Sequence, residues 1–301
     1  MGRIIVSKET DPYLNLALEE ELLFTPHEGT WLYLWQNQNT VVIGRNQNPY
    51  MECDPGYMSR KKMKLARRLS GGGAVYHDLG NLNYTFLCRE EEMDAKSQTR
   101  LISQALLSLG IQCCFSGRND LLYDGRKFSG QAYYSEDGFS YHHGTIMIDL
   151  DMEVMEKALT PSRLKLDAKG ISSVRSRVVN LKSICPAITA EAVADSLIKC
   201  YRESFGPAAV EIWDFKERLP SSSAKYRDPE WNLGKCPSYE ASMDIAAAKG
   251  IFRLKVRVEN GLIAEAALSS DSLEGLELHK LEQGLIGCLF EEEQVRRHLN
   301  S

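Results

Sequence analysis

Between Lys64 and Leu87, three runs with strand character, Lys64–Arg68, Ala74–His77 and Leu82–Leu87, follow one another through connections too short to hold a helix. Parallel neighbours need a crossover of about a dozen residues or more, so this stretch predicts antiparallel pairing. The first connection is Leu69-Ser70-Gly71-Gly72-Gly73. The fold must therefore be built on a sheet that carries a glycine loop.

Other elements take their places around that stretch. Arg3–Val6 reads as a strand, and Asp11 caps a helix that has Pro12 in its first turn and runs to Leu23. Trp31–Trp35 and Thr40–Gly44 read as a hairpin joined by Gln36-Asn37-Gln38-Asn39. A helix over Ser97–Leu109 ends at Gly110, and strand signals resume at Gln112–Phe115, Leu121–Tyr123, Arg126–Tyr134 and His143–Leu150. Helices are predicted near Met152–Leu159 and over Ala190–Ser204, with Thr160–Leu181 a polar loop over a site. Proline, serine and charge gather over Arg218–Pro229, the expected domain junction. Beyond it, Ile251–Val258 and Leu262–Leu268 flank Asn260-Gly261, a type I′ hairpin signal. The expected fold is α+β: residues 1–235 form a large domain with a mainly antiparallel mixed sheet flanked by helices, and residues 236–301 a small α+β domain.

Charge and cysteine usage narrow the function. A formal charge of -5 disfavours nucleic acid, and the basic run Arg60, Lys61, Lys62, Lys64, Arg67, Arg68 has no interleaved aromatics for base stacking. No apolar stretch approaches the roughly 20 residues needed to span a bilayer. Eight cysteines without a CxxC pair predict a cytoplasmic protein with buried thiols. His142-His143 lacks a further ligand at metal spacing and reads as a strand start, and Cys113-Cys114 as buried structural thiols.

Consecutive glycines let a backbone approach a ligand and present its N–H groups to phosphate or carboxylate oxygens. Arg67-Arg68-Leu69-Ser70-Gly71-Gly72-Gly73 has neither GxGxxG spacing nor a following Gly-Lys-Ser/Thr, and alone it reads more readily as a plain turn than as a site. Arginines before it and His77-Asp78 after it point towards a site. A second cluster runs from Ser116 to Ala132, where Asn119-Asp120 are placed for a metal-bound phosphate and Lys127, between Gly125 and Gly130, for an inward point charge. The segment alone reads equally well as a hairpin carrying exposed polar residues.

Taken together the clusters resemble the lipoate–protein ligase family. The resemblance rests on Arg67–Asn81, Gly117–Leu121, Gly125–Gly130 and His142–Thr145, supported by Asp11–Ala17, Leu34–Asn37, Val41–Asn48 and Lys169–Val178, all in collinear order. It implies a two-step reaction: lipoate attacks the α-phosphate of ATP, giving lipoyl-AMP and pyrophosphate, and an acceptor lysine then takes the acyl group. By that resemblance Lys127 and Asp120 are catalytic, with Asp120 holding Mg²⁺. Arg68, Gly73, Ala74, Val75, Tyr76, Asn119, Thr145, Arg175 and Lys127 bind the adenylate. Trp35, Ser70, Gly72, His77 and Lys127 bind lipoate, with Leu16 and Val42 either pocket or core. Lys169–Arg177 is the expected covering loop.

Implied partners are lipoyl-acceptor domains of 2-oxoacid dehydrogenase complexes or the glycine cleavage H protein, met by a monomer without a bound prosthetic group. In the family the small domain swings after adenylate formation. Three alternatives stand beside this reading: an ATP-independent acyltransferase of the same fold, a biotin–protein ligase, and a non-catalytic adaptor for lipoyl domains.

Overall fold

The computed structural model describes residues 2–116, 119–159, 177–234, 239–247, 250–259, 261–270, 277–290 and 292–300. Strand β1 (Arg3–Ser7) leads into helix α1 (Pro12–Phe24), whose cap Asp11 accepts from the Tyr13 N–H, and then into β2 (Trp31–Trp35). There follow β3 (Thr40–Ile43), short helices α2 (Pro49–Glu52) and α3 (Pro55–Arg60), β4 (Lys64–Arg67), β5 (Val75–His77) and β6 (Asn81–Arg89). Helix α4 (Ala95–Ser108) precedes β7 (Cys114–Ser116), β8 (Asp120–Tyr123), β9 (Arg126–Glu136) and β10 (Phe139–Met147). Then come α5 (Met152–Ala158), α6 (Ala190–Phe205), β11 (Val210–Trp213) and α7 (Ser223–Arg227).

The large sheet has eight strands in the order β11-β1-β2-β6-β10-β9-β8-β7. β1 is parallel to both β2 and β11, and every other pair is antiparallel. A second sheet, β4-β3-β5, has β3 parallel to β4 and antiparallel to β5. This is the expected mixed α+β architecture.

Two expectations fail here. The three runs between Lys64 and Leu87 do not pair with one another, because β3 lies between β4 and β5 and β6 enters the large sheet. Trp31–Trp35 and Thr40–Ile43 do not pair, but enter different sheets: β2 lies between β1 and β6, and β3 between β4 and β5. Every residue of both strands is buried, so each strand needs neighbours on both edges, which a two-strand hairpin cannot supply.

Each face of the large sheet has its own core. On one, Leu82, Tyr84 and Phe86 of β6 meet Leu101, Ile102 and Ala105 of α4 and Val193 and Leu197 of α6. On the other, Leu16, Leu22 and Leu23 of α1 meet Tyr33, Trp35 and Tyr141. Burying each such side chain stabilises the fold by about 1.5–3 kcal/mol. That second face also carries the polar site.

Residues 218–234 do not form a linker. Arg218, Lys225 and Arg227 pair with Glu21, Glu20 and Asp11 around α1, and Trp231 is buried with the α1 core. Their charges, read from the sequence as solvated linker, are complementary to the exposed flank of α1. The boundary at 235/236 falls within residues 235–238, outside the described residues. After it, β12 (Tyr239–Ala247), β13 (Gly250–Glu259) and β14 (Leu262–Ser270) form an antiparallel sheet. Helices α8 (Leu278–Leu285) and α9 (Glu292–Asn300) pack on it through Leu285, Val295 and Leu299. Gly261, at φ +78°, supplies the left-handed turn residue between β13 and β14.

Not all the thiols are buried. Cys53, Cys88 and Cys200 are, whereas Cys113, Cys185 and Cys288 are half-buried and Cys114 is exposed. Cys114 belongs to β7, the sheet's edge strand, where the next residue, Phe115, is exposed as well.

Candidate functional site

The site lies on the α1 face, where β6 presents Asn83 and Thr85 and β10 presents His143 and Thr145 in direct register. β2 places Trp35 opposite Asn83, and β9 continues the row with Gly130 and Ala132. The glycine loop lies over this row because β4 and β5 both hang on β3 and deliver its two ends. Gly72 has φ +93°, and a Cβ placed there would stand 4.0 Å from Ala132 and 3.0 Å from the Arg68 guanidinium. A side chain at Gly72 would thus be strained and crowded at once.

Arg68 turns inward under the loop. Its Nε donates to Ser70 Oγ (3.0 Å), its Nη2 to the carbonyls of Gly71 (2.7 Å) and Gly73 (2.8 Å), and its Nη1 to Val42 (3.3 Å). Burial lowers its pKa to about 10, so it stays charged at neutral pH. In this conformation Arg68 is the strut of the glycine loop.

Beneath the strut runs a continuous polar line. Because Ser70 Oγ accepts from Arg68, its own proton is available to His143 Nε2 (2.8 Å); His143 Nδ1 then donates to Glu19 Oε1 (2.9 Å). Thr85 Oγ1 donates to the same Glu19 oxygen (2.6 Å) and accepts from Trp35 Nε1 (3.1 Å). The loop, α1, β10, β6 and β2 are tied by one set of directed hydrogen bonds.

His77 stands at the other end, edge-on to Trp35 with ring centroids 6.2 Å apart. Burial, reinforced by the Arg68 cation and His143, lowers its pKa to about 3, so the ring is neutral. Asn15 Nδ2 donates to Asn37 Oδ1 (3.0 Å), which leaves Asn37 Nδ2 to donate to His77 Nδ1 (3.2 Å). The ring proton is therefore on Nε2, which is buried and has no hydrogen-bond partner among the described residues.

Lys127 and Asp120, on neighbouring strands β9 and β8, form an ion pair at 2.7 Å with about a third of each side chain exposed. A Cβ at Gly130 would come within 2.8 Å of Lys127 Nζ, so glycine there leaves room for the ammonium above β9. The Gly130 N–H donates to Thr145 Oγ1 (3.3 Å), and exposed Asn119 is held by its carbonyl, which accepts from Gln131 N–H (2.8 Å). The segment entering at Val178 bridges to Lys127, whose carbonyl accepts from Val179 N–H (2.9 Å).

Sequence-predicted residues thus fall into groups. Trp35, Ser70, Gly72, His77, Thr145, Lys127 and Asp120 share one face. Gly73 binds Arg68 through its carbonyl, and half-buried Ala74 packs against the apolar cluster of Val41, Ile43 and Met155. Val75 pairs with Val42, and the Tyr76 ring is buried in that same cluster, so Tyr76 offers the site only its main chain. Leu16 and Val42 are both core residues. Arg175 and most of Lys169–Arg177 lie outside the described residues.

His142-His143 is not a strand start but the middle of β10, with the rings on opposite faces. His142 faces α4, its Nδ1 2.9 Å from Gln98 Oε1, and burial lowers its pKa to about 3. Sequence reasoning missed Glu19, Asn83, Thr85 and His143. A signal for Glu19 was present: it shares the buried stripe of Asn15, Leu16, Leu22 and Leu23 on α1.

A glycine loop and a lysine–aspartate ion pair thus lie over one face of a mixed sheet, the arrangement of a candidate catalytic domain. Residues 11–202 match the Lipoyl protein ligase A/B catalytic domain, and residues 236–301 match the Bacterial lipoate protein ligase C-terminus. The chain belongs to the lipoate–protein ligase family.

Solved relatives agree. P. falciparum LipL1 in complex with lipoate is 28% identical, with a TM-score of 0.67, over 99% of this chain and 94% of its own. A bipartite lipoate protein ligase from Thermoplasma acidophilum, studied with its E2 lipoyl domain, is 27% identical (TM-score 0.67; 79% of this chain, 98% of its own). A lipoate-protein ligase A bound with ATP is 25% identical (TM-score 0.66; 78% and 99%). No helix among the described residues is long and apolar enough to cross a membrane.

Proposed function

We propose that this chain is an ATP-dependent ligase that activates lipoate as lipoyl-AMP and passes the acyl group to a lysine of a lipoyl domain, of an E2 subunit or of the glycine cleavage H protein. The observation that carries the reading is the Lys127–Asp120 pair beside Gly130 and Thr145, on the face that the glycine loop covers. In the first step a carboxylate oxygen bonds to the α-phosphorus as the bond to pyrophosphate breaks. In the second, the acceptor amine bonds to the acyl carbon as AMP leaves. Each step concentrates negative charge on phosphoryl or carbonyl oxygen, which a preoriented ammonium stabilises.

Asp120 aims the Lys127 ammonium, and Gly130 leaves space for it. The loop between Ser70 and Val75 lies over the same row, and its main-chain N–H groups would meet the adenylate's oxygens there. Trp35 and the His77 ring edge would border the acyl chain. Asp120, with exposed Asn119 beside it, supplies one carboxylate and one amide oxygen, a donor set suited to Mg²⁺ that arrives on nucleotide phosphates. Such an ion would neutralise phosphate charge while Lys127 holds the reacting oxygens.

The test is pyrophosphate exchange into ATP with lipoate present or absent, followed by mass measurement of a lipoyl domain incubated with the chain, lipoate and Mg-ATP. Lipoate-dependent exchange and a lipoyl mass gain are expected. Acyl transfer from an octanoylated donor with no exchange would sink the ligase reading in favour of a transferase, and lipoyl-domain binding without either reaction would favour an adaptor.

A further inference from the structure

Asn83 lies at the centre of the site row, directly opposite Trp35 on one side and Thr145 on the other. Facing residues of antiparallel strands have Cα atoms about 4.5–5.5 Å apart, so Asn83 stands one strand from Trp35 and two from Gly130, above which Lys127 holds its ammonium. Its side chain is 2% exposed. Asn83 Oδ1 accepts from Asn81 Nδ2 at 2.9 Å, which fixes the amide plane, while Nδ2 is shielded from solvent without a hydrogen-bond partner among the described residues. A buried amide donor left unpaired is uncommon, because the hydration it loses is not replaced.

The neighbouring polar groups do not serve it. Thr85 Oγ1, Glu19 Oε1 and Ser70 Oγ are engaged in the line to Arg68, and Thr145 Oγ1 accepts from Gly130. Asn81 Oδ1, buried beside it and likewise without a hydrogen-bond partner among the described residues, makes no bond to it, and a bound ligand can supply the acceptor.

We propose that Asn83 is a substrate-binding residue whose Nδ2–H donates to a carboxyl oxygen of the acid, between the apolar slot at Trp35 and the cation at Lys127. The proposal rests on the ligase reading for its substrate and adds a neutral donor to the ammonium. An amide donor serves both forms of the group: it binds the carboxylate before activation and the carbonyl oxygen of the mixed anhydride after it. The contact reads the carboxyl group and not the far end of the acyl chain, so Asn83 contributes equally to any acid of fitting length.

Titration calorimetry of the full chain with lipoate, without nucleotide, tests this directly, beside lipoate-dependent pyrophosphate exchange. Asn83→Ala should raise the Kd and KM for lipoate roughly tenfold to hundredfold, as loss of a hydrogen bond to a charged group does, and leave the KM for ATP within about twofold. Octanoate should lose affinity by the same factor. Asn83→Asp, nearly isosteric, should bind lipoate more weakly still, because it sets a carboxylate against a carboxylate; it also keeps the test decisive should the alanine variant melt early.

Unchanged lipoate affinity in both variants would overturn the proposal, and so would a loss confined to lipoate with octanoate spared. A wild-type chain that binds lipoate but catalyses no exchange would overturn the ligase reading alone, leaving the binding comparison to decide Asn83. A wild-type chain that binds no lipoate would overturn both.

Discussion

Replacing Glu19 by alanine should cost far more than a helix surface position would suggest. Glu19 is 2% exposed, and its Oε1 accepts from Thr85 Oγ1 at 2.6 Å and from His143 Nδ1 at 2.9 Å. Alanine leaves both donors buried and unmade, at about 1–3 kcal/mol each, so a loss of about 2–6 kcal/mol is expected. At about 2 °C per kcal/mol, taking the lower end of the range for large domains, the melting temperature should fall by about 4–12 °C. Glu19→Gln retains an acceptor oxygen and should lose less than half as much. Because His143 also accepts from Ser70, the alanine variant should loosen the glycine loop and raise the KM for lipoate well below its melting point.

Urea denaturation of the single and double variants at Glu19 and His143 supplies the check. Residues in one hydrogen-bonded line should be non-additive by about 0.5–3 kcal/mol. Strict additivity, or a Glu19→Ala variant within about 0.5 kcal/mol of wild type, would refute the idea that the line is a structural unit.

Lys127→Ala should abolish lipoate-dependent pyrophosphate exchange while shifting the melting temperature little, since the lost ion pair is about one-third exposed and such pairs contribute at most about 1 kcal/mol; retained exchange would remove Lys127 from the chemistry. His77 and His142 have pKa values lowered to about 3 in the fold, against about 6.5 when unfolded. The stability this contributes is complete above about pH 6.5 and is lost as pH falls towards 3, by up to about 1.4 kcal/mol per pH unit per histidine. Urea midpoints between pH 7 and 5 should therefore fall with pH and flatten in His77→Phe or His142→Phe; an unchanged slope would contradict the neutral assignment. Arg67 is fully buried and donates to the carbonyls of Trp231, Asn232, Gly44, Arg45 and Gln47. Arg67→Ala should destabilise by at least about 3–5 kcal/mol, with Arg67→Lys intermediate because one ammonium cannot span those acceptors; calorimetric melting of both variants decides it.

Local chemistry made much of this fold legible. Asp11 and Pro12 marked the start of α1, Gly110 follows α4 at φ +81°, and the strand runs around the glycine loop fell within a residue or two of their places. What stayed hidden depended on partners distant in the chain. Two apolar runs with a turn-like spacer cannot announce that they enter different sheets, since both are buried on all sides. Glu19, amid three consecutive glutamates, is indistinguishable by composition from Glu20 and Glu21, which pair with Lys225 and Arg218, until His143 closes on it. Lys127 and Asp120 were found through the family resemblance; their spacing alone was equally that of an exposed hairpin.

Consecutive residues of an extended chain project to opposite sides, and this holds for Arg67, the last residue of β4, and Arg68 just after it. One guanidinium grips residues 231–232 and the bend at 44–47, while its neighbour grips the glycine loop. Tension on the chain at Asn232 is therefore borne by β4 itself, one peptide unit from the loop. A pull on the chain at Asn232 would load that rivet, and through it the strand that leads into the glycine loop.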